Sequence, residues 1–169
     1  MKRTILRILG ALVILILIGF VVIQFIPVDR SNPPVANEPN WDSPQTKALM
    51  ERACLDCHSN QTKWPAYSYV APISWLVADD VHEGREKYNV SELNRHPVET
   101  EELIEQIEQD RMPLPNYVLL HPEARLSPAE KKMLISGLQK TFAGQTGLDN
   151  DEGGEEQEEE EGDEGAFLK

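Results

Sequence analysis

Cysteine is scarce in this sequence of 169 residues, and strand patterns are missing from it. Cys54 and Cys57 are the only two cysteines and the remaining histidines are scattered singly, so no second pair completes a four-ligand zinc site. No βαβ pattern surrounds the cysteines, which argues against a thioredoxin-like redox dithiol. A plain disulfide is possible, although it leaves His58, the residue after Cys57, unexplained. The sequence favours a chemistry that uses both thiols and the adjoining imidazole together.

Basic residues are fewer than acidic ones, 16 against 29, and the formal net charge is −13. Residues 149–164 account for most of it, with 11 acidic residues and no basic one. Residues 41–143 carry 16 acidic and 11 basic residues, a mildly acidic balance that argues against nucleic acid as a partner. We expect residues 144–169 to be a disordered acidic tail that is dispensable for folding. Such a tail either steers a basic partner or only adds solubility.

One long apolar run lies near the N-terminus, from Ile5 to Ile26, after the basic residues Lys2 and Arg3. As a helix it would measure about 33 Å, enough to cross the hydrocarbon core of a bilayer. The run is longer than the apolar region of a signal peptide, and no small-residue cleavage pattern follows it. We therefore expect residues 1–27 to be an uncleaved membrane anchor, with a cleaved signal segment as the alternative. The basic residues place the N-terminus in the cytoplasm and the rest of the chain outside a bacterial cytoplasmic membrane.

The remainder divides into a linker and one folded domain. Residues 28–40 contain Pro33, Pro34 and Pro39, which favour an extended, semi-rigid spacer that holds the domain a short distance off the membrane. Residues 41–143 suit one small domain with a single core.

Helical spacing of apolar residues predicts an all-α fold for this domain. The expected helix starts are Ser43-Pro44, Pro72 ahead of an apolar set that includes Ile73 and Leu76, Thr100 as an N-cap, and a capping box at Ser127.

The domain contains the stretch Cys54-Leu55-Asp56-Cys57-His58, which reads C-x-x-C-H. This is the pattern of c-type haem attachment. Two thiols one helical turn apart can each add to one vinyl group of haem, and the following histidine can bind the iron as proximal ligand. We therefore predict one covalent haem c, held by Cys54, Cys57 and His58.

The C-x-x-C-H motif does not identify the second axial ligand of the iron. We predict Met112, because it follows a helix directly and sits in a loop stiffened by Pro113 and Pro115. A soft sulfur donor there would complete a low-spin electron carrier. The other candidates are His82, His96, His121, Met50 and Met133.

Aromatic residues follow the motif in the stretch from Ser59 to Pro72. Trp64, Tyr67 and Tyr69 are expected to cover haem edges, and ordinary core packing is the alternative for each. We include Trp64 and Tyr67 among the predicted cofactor-binding residues.

These residues resemble a known family. The segments CLDCHSNQTKWPAYSYVAPISWLVADDVHEGREKYNVSEL and MPLPNYVLLHPEARLS are similar to the haem-binding domain family of small, single-haem, c-type cytochrome-like proteins. The resemblance implies covalent haem through Cys54 and Cys57 with His58 as proximal ligand, and Met112 falls on the family's Met-Pro segment. It implies a small cytochrome c-like helical domain wrapped around one haem and preceded by one transmembrane helix.

The function expected from these features is single-electron transfer outside the cytoplasm with an unknown redox partner protein. The alternative is a haem-based ligand-binding or sensing module with an open or displaceable sixth position. A peroxidase would need an open iron and a distal acid or base, for which no residue pattern exists, so we expect no enzyme activity.

Overall fold

A computed structural model describes residues 2–95 and 98–143. The candidate ligand His96 and the predicted acidic tail at 144–169 lie outside the described residues. Within the described ranges the chain forms α-helices, short 3-10 turns and no strand, which confirms the all-α prediction. The helices are α1 (Lys2–Ile23), α2 (Pro44–Ala53), α3 (Leu55–His58), α4 (Ile73–Lys87), α5 (Thr100–Glu108), α6 (Pro115–Leu120) and α7 (Pro128–Phe142). Single 3-10 turns lie at Ala66–Tyr69 and Pro122–Ala124.

The first helix stands apart from the others. α1 is long and apolar enough to cross a membrane, and none of its residues is buried against the rest of the described chain. A helix that is apolar on all sides and unpacked needs an apolar surrounding, which agrees with the predicted anchor.

Helix starts follow local signals where a capping side chain is present. The Ser43 hydroxyl accepts the Thr46 amide at the start of α2. Ser127 and Glu130 form the predicted capping box at the start of α7. The prediction of Thr100 as an N-cap is wrong. Thr100 is the first helical residue of α5, and Glu99 precedes it without a side-chain cap.

The core lies on one side of the domain, where α2, α5 and α7 pack together. Its largest buried side chains are Met50, Ile107, Leu134, Leu138 and Phe142. α4 packs instead on α3 and the first 3-10 turn. The space between α4 and α5 is therefore walled by α4 on one side and by α5 on the other, and Leu55 of α3 belongs to the same core cluster as α2, α5 and α7.

The first turn of α4 differs from the usual amphipathic pattern. Val81 is buried, whereas Ile73 and Leu76 stay exposed although they belong to the same helically spaced apolar set. Helical periodicity thus predicts the element correctly without telling which of its apolar residues are covered.

Residues 28–40 form no helix or strand, and they lie along the domain. The Asn60 side chain donates to Pro34 O, and the amides of Ala36 and Asn37 donate to Ser91 O. Arg85 joins this segment to the domain, and we call its contacts the Arg85 clamp. Its guanidinium donates to Ser31 O at 3.0 Å, Asn32 Oδ1 at 2.9 Å and Ser59 O at 2.9 Å. Because the segment is bound to the domain, it separates the domain from α1 by less than its full length.

We predict that Arg85→Ala lowers the free energy of unfolding of the domain by about 2 kcal/mol, because charge-assisted hydrogen bonds between distant segments are lost. Urea titration of the full chain in detergent, followed by loss of helix, measures this. Arg95→Ala is the control: the Arg95 side chain pairs with Glu92 but is 77% exposed, so its loss should lower the free energy of unfolding by less than about 0.5 kcal/mol. Equal effects of the two substitutions would contradict the clamp.

Candidate functional site

Two adjoining cavities open between α4 and α5. They measure about 240 Å³ and 490 Å³ and share part of their walls. The shared wall residues are His58, Lys87, Tyr88, Leu103 and Met112. We call this joined space the α4–α5 cavity.

The C-x-x-C-H stretch forms one end of the cavity. Cys54 ends α2 with a non-helical backbone (φ −131°, ψ −39°), and α3 starts directly after it. The amides of Cys57 and His58 both donate to Cys54 O, at 3.1 and 3.0 Å. This single helical turn brings both thiols and the imidazole to the wall of the same cavity, as the spacing predicts.

His58 is held in one orientation. The residue is only 6% exposed, and its ring stacks on the Tyr88 ring, with centroids 3.9 Å apart and planes 8° from parallel. Nδ1 lies 3.3 Å from Tyr88 O, and because a carbonyl can only accept, Nδ1 carries the proton. The lone pair is therefore on Nε2. Burial lowers the pKa of His58 to about 4, so the imidazole is neutral at physiological pH and able to bind a metal.

The two thiols are not activated as nucleophiles. Burial raises the pKa of Cys54 and of Cys57 to about 12. Both are free cysteines in the structure. Redox-active dithiols instead have lowered pKa values and electropositive surroundings. The arrangement thus disfavours the redox-dithiol alternative.

Gly84 allows α4 to approach the motif. A Cβ atom at this position would lie 2.7 Å from Cys57 O and 3.0 Å from Cys57 Cβ. Only a residue without a side chain fits this contact. The approach brings Tyr88, four residues later, within reach of His58, and the Val90 amide donates to His58 O at 3.0 Å.

Met112 lines the cavity from the loop that follows the end of α5. Asp110 there adopts a left-handed backbone (φ 57°), a conformation that Asp tolerates better than most residues. The chain reverses, and the amides of Arg111 and Met112 both donate to Gln106 O, at 3.0 and 3.1 Å. Met112 and His58 thus line the same cavity, each on a hydrogen-bonded backbone.

The other described ligand candidates lie elsewhere. Met50 is fully buried in the core, and Met133 is exposed on α7. His82 is exposed on α4 beside Glu86. His121 Nδ1 contacts the Glu123 carboxylate, and its Nε2 forms a hydrogen bond with the Tyr67 hydroxyl, so both ring nitrogens are engaged. Met112 is the one described candidate that shares a cavity with His58.

The two aromatic residues predicted to bind the cofactor, Trp64 and Tyr67, do not line the α4–α5 cavity. Trp64 lines a different cavity, together with Trp75 and Arg85. The Tyr67 hydroxyl forms a hydrogen bond with His121 Nε2 at 2.6 Å, and Tyr67 does not line the α4–α5 cavity. Their role in cofactor binding stays a prediction. The aromatic residue found in that cavity wall besides Tyr88 is Tyr117, whose hydroxyl donates to Asp56 at 2.8 Å.

Sequence reasoning missed several residues that shape the site. Gly84 and Tyr88 act directly on the motif, and Asn60, Asn89 and Ser91 form a buried polar cluster behind it. The Gly84-Arg85 pair was visible in the family-like pattern, but its role depends on an approach between helices that spacing alone does not reveal.

The donor set and the walls fit a haem group. Two thiols, a neutral imidazole and a thioether line one mainly apolar space, with Leu103, Ile107 and Leu114 among its walls. Apolar walls with a few well-placed polar groups are typical of cofactor sites. A basic side chain able to meet carboxylates, Lys87, is present at the rim.

Comparison with known proteins agrees with this fit. A family model described as "Haem-binding domain" matches residues 18–140, which is more than half of the chain. The match begins inside α1 and includes the extended segment that lies on the domain. No curated protein and no solved structure matches the chain.

We predict that Gly84→Ala displaces α4 from the motif, lowers the free energy of unfolding by about 1–3 kcal/mol and alters the absorption spectrum of the haem-loaded protein. Gly137→Ala is the control, because a Cβ at Gly137 would meet the Thr46 side chain even more closely, and Thr46 does not line the cavity. It should reduce stability and leave the spectrum unchanged. An unaltered spectrum in stable Gly84→Ala protein would contradict the role of this contact.

Proposed function

This chain belongs to the haem-binding domain family, and on that basis we propose that it is a membrane-anchored monohaem c-type cytochrome. It attaches haem covalently through Cys54 and Cys57 and transfers single electrons outside the cytoplasm. One observation carries the proposal: both thiols, His58 and Met112 line the same cavity.

The residues of the cavity have distinct tasks in this proposal. When bound, haem supplies a centre that gains and loses one electron. His58 offers Nε2 as proximal ligand, and its hydrogen bond to Tyr88 O fixes the ring and its tautomer. Met112 offers its sulfur from a backbone already held by Gln106 O, so little conformational entropy is lost on ligation. The apolar walls exclude water, and this low-dielectric setting tunes the reduction potential.

Membrane attachment is the second part of the proposal. α1 has the length and composition of a spanning helix and lies near the N-terminus. With Lys2, Arg3 and Arg7 on its cytoplasmic side, the haem domain lies on the periplasmic side of a bacterial membrane. Attachment of haem to C-x-x-C-H outside the cytoplasm is consistent with that orientation.

The chain acts as an electron carrier in this proposal and is not an enzyme. His121, whose ring stacks on Tyr117 of the cavity wall, already uses both ring nitrogens. It is therefore poorly suited to serve as a distal acid or base.

We predict that Cys54→Ser with Cys57→Ser abolishes covalent attachment, because serine hydroxyls do not form the thioethers. Acid-acetone extraction should leave the colour on the wild-type protein and remove any colour from the double variant. Met112→Ala is the control and should keep its haem during extraction. Haem that remains attached to the double variant would refute attachment through these residues.

We also predict that Met112→Ala removes a weak far-red sulfur-to-iron charge-transfer band of the oxidised protein and lets carbon monoxide bind the reduced protein. The reason is loss of the soft sixth ligand. Met133→Ala, at an exposed methionine outside the cavity, should change neither property.

Two results would change this assignment. If His82→Ala or His121→Ala altered the spectrum and Met112→Ala did not, the ligand would be histidine. If the reduced wild type bound carbon monoxide quickly, the sixth position would be open, and the alternative of a haem-based ligand-binding or sensing module would replace electron transfer.

A further inference from the structure

A row of apolar side chains on the domain lies open to solvent. Tyr69 ends the first 3-10 turn, Val70 follows it, and Ile73 and Leu76 lie in the first turn of α4. Tyr69, Ile73 and Leu76 are 58%, 44% and 64% exposed. Ile73 and Leu76 are three residues apart and so share one face of α4. We call residues 69–76 the apolar shoulder.

The apolar shoulder is joined to the end of the membrane helix. Gln24 follows α1 directly, and its side-chain amide pairs with the backbone of Ala71 in both directions. Ala71 N–H donates to Gln24 Oε1 at 2.9 Å, and Gln24 Nε2 donates to Ala71 O at 3.2 Å. Because α1 is about as long as the hydrocarbon core is thick, Gln24 lies where the chain leaves it. The shoulder therefore lies at the depth of the lipid headgroups.

The residues beside this contact have the chemistry of a membrane interface. Phe25 and Ile26 continue the exposed apolar surface from α1. The Arg30 guanidinium lies 4.6 Å from the centroid of the Tyr69 ring and donates to Ser68 O. Tyrosine and basic residues are enriched at the level of the headgroups, where one end of the side chain is apolar and the other is hydrated.

We propose that the apolar shoulder inserts into the interfacial layer of the membrane leaflet from which α1 emerges. The occupant of this surface is lipid. The haem domain then rests on the membrane in one orientation, fixed by α1, by the Gln24–Ala71 pairing and by Ile73 and Leu76. The inference depends on the proposed role of α1 as an anchor.

The experiment uses the full chain in vesicles of phosphatidylethanolamine and phosphatidylglycerol. The photoreactive residue p-benzoylphenylalanine replaces Ile73, Leu76 or, as the matched control, Met133, which is 51% exposed on α7. α7 packs against α2 and α5, not against the shoulder. After irradiation, mass spectrometry measures the fraction of chain that carries a lipid adduct. We expect several-fold more adduct from positions 73 and 76 than from position 133.

The outcomes distinguish failure of the docking proposal from failure of the proposed membrane anchor. Chain that fails to float with the vesicles in a density gradient would refute the anchor and the docking together. Chain that floats but gives equal lipid adducts at all three positions would refute the docking alone, as would adducts to a second copy of the chain at positions 73 and 76. Gln24→Ala should lower the adduct yield at position 73, and an unchanged yield would overturn the positioning role of Gln24.

Discussion

The close contact between α3 and α4 at Gly84 sets the geometry of the whole site. Once α4 touches the backbone of Cys57, the helical register places Arg85 beside Ser59 O and Tyr88 beside His58. These contacts come from one turn of one helix, so a change in their common register would move all of them. The orientation of the histidine ring, the clamp on residues 28–40 and one wall of the α4–α5 cavity therefore depend on a single position without a side chain.

Irregular segments hold their shape here through buried polar groups. The Asn60 amide donates to the Ser91 hydroxyl, the Asn89 side chain donates to Asn60 Oδ1 at 2.7 Å, and the Ser91 amide donates to Asn89 Oδ1. Each of these groups is buried and has a hydrogen-bond partner. Such a network mainly selects a single loop conformation, and its net contribution to the free energy of unfolding is smaller. The loops after α3 and after α4 are thus held in place by side-chain hydrogen bonds and not by regular secondary structure. Residues 28–40 pack on these two loops.

The parts that could be predicted from sequence are those with local causes. The start of α7 at Ser127 and the turn that joins Cys54, Cys57 and His58 depend on residues within four positions of one another. The clamp of Arg85 on Ser31 could not be predicted, because 54 positions separate the two and either could have faced water. The same holds for the directions of Trp64 and Tyr67, which lie in and beside irregular backbone. Met112 is an intermediate case: its loop follows from the prolines, but its place in the cavity wall depends on the left-handed Asp110 and the shared acceptor Gln106 O.

The division of the domain explains why a large apolar cofactor suits so small a protein. The buried core joins α2, α5 and α7, whereas α4 is attached through α3 and the first 3-10 turn. Leu103 and Ile107 of α5 face the cavity from one side and α4 faces it from the other. A haem between them would bury both walls at once and join α4 to α5, which do not pack on each other directly. Binding that favours the folded state stabilises it by mass action, and a covalent attachment makes that stabilisation permanent. The same residues that would hold the cofactor would therefore also complete the core.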